Sequence, residues 1–144
     1  MVIQQCDEGI NIYDSVTASD LLIHDNDKGI YCDYGYAELS HARIFSNSEG
    51  LIGYYGEYAI DSCTINNNGT GAYLDYGSLQ ADTCEIYENG LGIGGSIGYG
   101  TCLITCNNCT FSDNTVSLLG DISLYDCDIT GGPVSYTHLR AHET

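Results

Sequence analysis

The chain has 144 residues, of which 20 are Asp or Glu and three are Lys or Arg, so its formal net charge is −17. Nucleic acids and anionic membrane surfaces are bound through clustered Lys and Arg, so this composition excludes both as partners. The sequence contains no run of about 18 apolar residues, so no membrane-inserted segment is predicted.

An internal repeat with a period of 21 organises most of the chain. The segment 8–15, EGINIYDS, is the second half of an early copy, and further copies follow it. The interval defines five columns of like residues: Tyr13, Tyr34, Tyr55 and Tyr76; Ile23, Ile44, Ile65 and Ile86; Asn26, Asn47, Asn68 and Asn89; Gly29, Gly50, Gly71 and Gly92; Gly35, Gly56, Gly77 and Gly98. A fixed period of this length is typical of solenoids, in which each copy stacks on the one before it.

Each copy contains three short stretches of alternating apolar residues. In one copy these are Ala42 with Ile44, Leu51 with Gly53, and Tyr58 with Ile60. Gly, Asn, Asp and Ser bound the stretches and mark turns, and no window has the spacing of an amphipathic helix. Three brief strands and three corners per copy predict an all-β protein, a parallel β-helix of about six turns.

The Asn column continues at Asn114 and predicts a structural ladder: Asn26, Asn47, Asn68, Asn89 and Asn114. Stacked Asn side chains pair amide to amide and bond the turn backbone. The Gly columns provide the positive φ angles that tight corners require. Because neighbouring strands lie about 4.8 Å apart, six turns would make a rod roughly 30 Å long.

The period changes near the end of the chain. Cys109, which opens the segment CTFSDNT, follows its counterpart Cys84 at an interval of 25 instead of 21. We therefore place about four extra residues in the segment 101–108, TCLITCNN. A further copy opens at 127–132, CDITGG.

The segment 133–144 departs from the repeat. Its residues 134–144, VSYTHLRAHET, resemble the translation of a transposase library adapter. Because such scars are excluded from fold reasoning, we expect the repeat domain to occupy residues 1–132 and residues 133–144 to be a non-native tail. Further β-helix turns of the same protein are then expected at one or both ends.

An apolar-x-x-Asn pattern followed by Gly and an apolar residue occurs as IFSNSEGL, INNNGTGA and IYENGLGI, with a variant in CTFSDNTV. It resembles the repeats of right-handed parallel β-helix proteins, found in the pectin-lyase-like superfamily and in adhesin-like and polymorphic outer-membrane proteins. The resemblance implies a right-handed solenoid. A leucine-rich repeat is the structural alternative, since IDSCTINNN fits part of that motif, although most copies lack its apolar residue two places after the Asn.

Asp20, His41 and Ser62 form one column in the order acid, base and nucleophile. A catalytic triad also requires defined hydrogen bonds and an oxyanion hole, for which the sequence offers no residues. The column continues as Thr83, so we interpret it as a polar ladder at a corner. Lyases and hydrolases of this superfamily would imply carboxylate clusters with Arg, Lys or His, and these are missing. We therefore predict no catalytic residues in this segment.

Cys102, Cys106 and Cys109 have the spacing of radical-SAM iron–sulfur sites. That chemistry requires an α/β barrel, which the repeat does not predict, and Cys109 continues an earlier column of core cysteines. We place Cys102 in the column of Ala81 and Cys106 in the insertion, exposed and able to pair. No metal site and no cofactor are predicted. Stacked cysteines fall within the Cα range of disulfides, so the redox state of the eight cysteines stays open.

The tyrosine column is the candidate binding surface. Stacked aromatic rings with neighbouring carboxylates suit sugar rings, and the alternative is an aromatic ladder that only stabilises the fold. The candidate ligand-binding residues are Tyr13, Tyr34, Tyr55, Tyr76, Asp33 and Asp75.

The sequence predicts a fragment of a secreted or surface-displayed protein. Its predicted role is a structural stalk or adhesin whose partners are polysaccharides or cell-surface glycans. The alternative is the non-catalytic portion of a polysaccharide lyase or glycoside hydrolase with a pectin-lyase-like fold. A spacer without a ligand is the third possibility. The segments that adjoin the repeat array in the full protein would discriminate among these roles. An outer-membrane or cell-wall anchor would favour an adhesin, and a carboxylate cluster with Arg or His would favour an enzyme.

Overall fold

The computed structural model describes residues 1–96 and 102–142, and of residues 135–142 it describes the backbone alone. Every regular element in these ranges is a β-strand, and the strand pairings are parallel. Among the described residues no helix is long and apolar enough to cross a lipid bilayer.

Seven strands of three residues form one sheet, which we call face 1. They are β1 (Val2–Gln4), β4 (Leu22–His24), β7 (Arg43–Phe45), β9 (Thr64–Asn66), β11 (Glu85–Tyr87), β14 (Thr110–Ser112) and β16 (Asp128–Thr130).

Ten strands form a second sheet, which bends into two further faces. They are β2 (Glu8–Ile12), β3 (Ser15–Ser19), β5 (Lys28–Asp33), β6 (Tyr36–Ser40), β8 (Glu49–Asp61), β10 (Thr70–Asp82), β12 (Leu91–Gly95), β13 (Cys102–Asn107), β15 (Val116–Tyr125) and β17 (Val134–His142). Face 2 contains β2, β5, β12 and the first halves of β8 and β10. Face 3 contains β3, β6, β13 and the second halves of β8 and β10.

The chain winds from face 1 through corner 1 to face 2, through corner 2 to face 3, and through corner 3 back to face 1. Most corners contain one non-glycine residue in the left-handed backbone region. At corner 1 these are Gln5, Asp25, Ser46, Asn67, Glu88 and Asp113; at corner 3 they are Asp20, His41, Ser62, Thr83, Asn108 and Asp126. The predicted right-handed parallel β-helix of about six turns is confirmed. The leucine-rich-repeat alternative is wrong, because each turn contributes strands to three faces.

The inward-facing residues of the three faces form one continuous core. Ile23, Ile44, Ile65 and Ile86 are each fully buried and pair in register along face 1, where Phe111 takes the next place. A narrow interior leaves each turn little volume, so small and medium apolar side chains fill it. The repeat columns of the sequence are therefore columns of stacked side chains.

The predicted Asn ladder lies buried in corner 1, where each Asn directly follows the left-handed residue. The side-chain oxygen of Asn47 accepts hydrogen bonds from the side-chain amide and the backbone N–H of Asn26, both at 3.0 Å. The Asn47 amide donates in turn to Asn68 and to the carbonyl oxygens of Ile23 and Phe45. The pattern repeats through Asn89 to Asn114. Each amide therefore satisfies corner groups that would otherwise be buried without partners.

The four-residue insertion lies earlier than we predicted. Gly95 still pairs with Leu74 at the regular interval of 21, but Cys102 pairs with Gly77 at an interval of 25. Cys106 therefore stands next to Ala81, and Cys102 does not. Our placement of these two cysteines was wrong because the sequence shows only that four residues are added, not at which corner. The predicted Gly98 position lies outside the described residues.

The predicted tail begins with strand β17, whose backbone pairs in parallel with β15, with a register shift between Leu119 and Asp121. An open sheet edge accepts any extended segment, so this pairing does not bear on the origin of residues 133–144. The non-native origin of the tail stays a prediction.

Candidate functional site

In the described residues, the strand registers show that the repeat length changes at corner 2. Strands β2 and β5 pair at an interval of 20 on face 2, whereas β3 and β6 pair at an interval of 21 on face 3. The four-residue insertion also falls at corner 2, and the next turn pairs β13 with β15 at an interval of 18. Corners that tolerate length changes are the usual location of binding residues on a rigid scaffold. Corner 2 is therefore the first place to look for a site.

Three tyrosines form a stack at corner 2. Tyr34, Tyr55 and Tyr76 have φ angles of 55°, 51° and 58°, in the left-handed region. The Tyr55 ring lies 4.9 Å from that of Tyr34 and 4.8 Å from that of Tyr76, with interplanar angles of 11° and 8°. The left-handed backbone is shared with the other two corners, and what distinguishes corner 2 is the repeated aromatic side chain. We call these residues the tyrosine stack.

The middle ring of the tyrosine stack is covered on both faces. The ring belongs to Tyr55, which is therefore 42% exposed, compared with 69% for Tyr34. Tyr54 lies across the stack, with interplanar angles of 83° to 86° and a centroid distance of 4.9 Å to Tyr55. Tyr54 is thus perpendicular to the stack and, at 39% exposed, adds a further aromatic surface beside it.

Two carboxylates flank Tyr54. Asp33 pairs with Tyr54 on the preceding turn and Asp75 on the following one, so the three residues form a column on face 2. Oδ1 of Asp33 is one of two buried side-chain polar atoms in the described part of the chain that have no hydrogen-bond partner, the other belonging to Asn66. Partial desolvation, then Tyr55, Tyr34 and Asp75, raise the pKa of Tyr54, so its hydroxyl remains protonated.

Tyr13 lies near the stack in a different conformation. Because the first turn is one residue shorter at corner 2, Tyr13 does not adopt the left-handed backbone of Tyr34. The two residues line one shallow depression of ≈ 320 Å³, whose full lining is Tyr13, Asp14, Ser15, Tyr34, Gly35, Tyr36, Tyr55 and Glu57. The structure thus brings Tyr34, Tyr55 and Tyr76 together and places Tyr13, Asp33 and Asp75 around them. Their role in binding stays a prediction.

The column of Asp20, His41 and Ser62 occupies corner 3. All three have left-handed backbones, and their amides donate to Ser40, Asp61 and Asp82 of the following turn, at 3.0 to 3.1 Å. Asp20 and His41 are exposed. These contacts are those of a repeated corner, and the polar-ladder interpretation accounts for them without catalysis.

Six of the eight cysteines are buried, and all eight are free thiols. Cys106 is fully buried, so the prediction that it is exposed and ready to pair was wrong. Its inward position follows from its pairing with Ala81. Cys106 and Cys109 are core residues, as is Cys102, and no described group of three or more His, Cys, Asp or Glu side chains is arranged to hold a metal ion. Burial raises the pKa of the Cys32 thiol, and hydrogen bonding to Cys109, then burial, raises that of Cys106.

We expect only Cys6 to react rapidly with a thiol reagent in the native protein. Cys6 is exposed and Cys127 half-buried, whereas the other six are shielded, and reaction requires an accessible thiolate. Thiol titration at about pH 8 should show one fast and one slow equivalent, and all eight only after denaturation. Cys6→Ser should remove the fast phase alone. A third fast thiol in the native protein would contradict the buried placement.

A second depression was not anticipated from the sequence. It lies on face 3 and measures ≈ 290 Å³, with a lining that includes Glu38, Asp61, Gln80 and Asp82. Asn107 donates to Asp82 at 2.7 Å, and Gln80 donates to the same carboxylate at 3.1 Å. In the sequence, this depression was indicated by two columns of polar residues that recur at the repeat interval. These hydrogen bonds already use the Asp82 carboxylate, so the tyrosine corner remains the better site.

Fold and site together define a right-handed parallel β-helix with an exposed aromatic and acidic edge at one corner. No protein-family model and no curated protein matches the sequence. Among solved structures, the chain superimposes on pectate lyase Pel9A with a TM-score of 0.65 at 10% identity, covering 98% of this chain and 52% of the lyase. It superimposes on the A-module of Azotobacter vinelandii mannuronan C-5 epimerase AlgE4 with a TM-score of 0.53 at 15% identity, covering 96% of this chain and 63% of that module. At these identities the likeness shows the fold alone, the pectin-lyase-like β-helix.

Proposed function

We propose that the chain is part of an extracellular or surface-displayed stalk that binds glycans along corner 2. The observation that carries the proposal is the tyrosine stack, which holds the open ring of Tyr54 beside two carboxylates. Sugars are commonly bound by an aromatic surface combined with a few polar groups that fix orientation. The depression beside the stack adds the carboxylates of Asp14 and Glu57.

The stalk part of the proposal is supported by the rigidity of the repeat. Parallel pairing on three faces and the buried Asn ladder hold each turn on its neighbours. In such arrays the free energy of unfolding is approximately the sum of the stabilities of the single turns and of the interfaces between neighbouring turns. A solenoid can therefore be lengthened by adding turns of the same kind. Consecutive turns thereby carry Tyr34, Tyr55 and Tyr76 at regular spacing, which suits an extended polymer.

The test is the retention of Tyr55→Ala on immobilised glycans. Tyr55 supports Tyr54 at 4.9 Å and joins the stack, so its loss should lower retention about fivefold to tenfold. The measurement is affinity electrophoresis or a bead pull-down on a panel of neutral, acidic and amino-sugar polysaccharides. Tyr87→Ala, on face 1, is the matched control and should retain wild-type binding.

Two outcomes would overturn the binding role. Unchanged retention of Tyr55→Ala together with a lower melting temperature would assign the stack to stabilisation alone. Failure of the wild-type chain to be retained on any glycan would favour a spacer.

The second candidate is the non-catalytic portion of a polysaccharide lyase, hydrolase or related enzyme. The observation that favours it is the fold likeness to a pectate lyase and a mannuronan epimerase. Under this alternative, corner 2 would guide a polymer toward catalytic residues elsewhere in the full protein. Strong retention of polygalacturonate or mannuronan would favour it over the stalk.

A further inference from the structure

The charge around corner 2 differs from what a uronic-acid polymer requires. Asp33 and Asp75 flank Tyr54, and Asp14 and Glu57 line the depression on the other side of the stack. All four are acidic side chains, and no Lys or Arg is among the residues that line the depression. A polyanionic glycan would therefore be repelled from this corner.

The cations of the described side chains are engaged elsewhere. Nζ of Lys28 lies 3.2 Å from a carboxylate oxygen of Glu8 and sits over the Tyr31 ring at 4.8 Å. The Arg43 guanidinium sits over Phe45 on face 1. Neither is positioned to neutralise the four carboxylates of corner 2. The field around Tyr54 is thus negative.

Resting on the proposed glycan-binding function, we propose that corner 2 selects a cationic polysaccharide of protonated amino sugars, with an ammonium group bound at Tyr54 between Asp33 and Asp75. An ammonium group is attracted to the face of an aromatic ring and forms charge-assisted hydrogen bonds with carboxylates. Tyr54 is 39% exposed, so its ring is accessible to a ligand.

One carboxylate oxygen of Asp33 has no hydrogen-bond donor. This oxygen, Oδ1, is buried without a partner, a state that costs free energy until a donor arrives. An ammonium group supplies up to three donors, enough for both flanking carboxylates.

The test compares retention of the full chain on chitosan, on fully N-acetylated chitin and on polygalacturonate at one mildly acidic pH. These polymers present a cationic, a neutral and an anionic surface. We expect chitosan to be retained at least about tenfold better than chitin, and polygalacturonate not at all. The preference should shrink at about 0.5 M salt, which screens exposed charges.

Variants distinguish specific binding at Tyr54 from non-specific attraction to an acidic chain. Asp75→Asn and Tyr54→Ala should each lower chitosan retention about tenfold, the second without a change of charge. Glu85→Gln removes one exposed charge from face 1 and should change retention less than about twofold. Circular dichroism of each variant should match the wild type.

Each remaining outcome has a definite meaning. Equal losses for Asp75→Asn and Glu85→Gln would overturn the site in favour of non-specific attraction. Equal retention on chitin and chitosan would overturn the cationic preference while leaving the proposed glycan binding intact. Retention on no polysaccharide would overturn both. Complete displacement by short poly-lysine with unchanged binding of Tyr54→Ala would assign the surface to basic peptides instead.

Discussion

Replacing Asn68 by Ala should lower the free energy of unfolding by about 3 to 5 kcal/mol, because each buried polar group left without a partner costs about 1–3 kcal/mol. Asn68 lies in the middle of the ladder and is 3% exposed. Its oxygen accepts from the backbone N–H and the side-chain amide of Asn47, and its amide donates to Ile44 and Asn89. Alanine would leave the Asn47 donors and the Ile44 carbonyl without these partners in the interior.

Urea denaturation followed by circular dichroism would measure this loss. Asn11→Ala is the matched control, since the exposed Asn11 bonds only the neighbouring Glu8 carboxylate, and it should cost less than about 0.5 kcal/mol. The loss is a large part of the stability of an ordinary domain, so partial unfolding of the central turns is expected. A stability within about 1 kcal/mol of wild type would show that water replaces the ladder amide.

Gly77→Ala should destabilise the protein by about 3 kcal/mol, through a backbone conformation and an overlap that a methyl group cannot avoid. Gly77 has a φ of +149°, in a region that L-residues rarely adopt. A Cβ built on it would overlap the carbonyl oxygen of Gly56 on the preceding turn. The strands are held at fixed spacing there, so the backbone has little freedom to move aside.

Thermal melts of Gly77→Ala and of Gly94→Ala form the comparison. At Gly94 a Cβ would meet first the end of the Leu91 side chain, at 2.9 Å, which can rotate away, so that variant should lose less than about 1 kcal/mol. Similar melting temperatures for the two variants would mean that corner 2 relaxes easily. That result would also weaken the view of corner 2 as a rigid support for Tyr55.

The position of length variation connects stability with binding. Corner 1 contains the buried Asn ladder, and corners 1 and 3 each repeat a left-handed residue on six turns. The insertion and the shortened turns fall at corner 2. A solenoid that keeps two corners constant can vary the third without disturbing its core. The tyrosine stack lies at the corner where variation is tolerated.

The sequence alone determined the architecture, because a solenoid stacks each residue on its counterpart one period away. The columns of Ile23 and Asn26 therefore predicted the buried core and the amide ladder without three-dimensional information. It also indicated the tyrosine column and its neighbouring carboxylates, since Asp33 and Asp75 precede Tyr34 and Tyr76 in the chain.

The tertiary structure decided where the period changes and how the rings are oriented. Adding four residues leaves the same spacing between ladders whichever corner holds them, so the sequence placed Cys106 on the surface and the fold placed it in the core. The first turn is likewise one residue shorter at corner 2, so Tyr13 does not share the backbone conformation of Tyr34. The perpendicular ring of Tyr54 depends on packing between neighbouring turns, and a one-dimensional period contains no information about that angle.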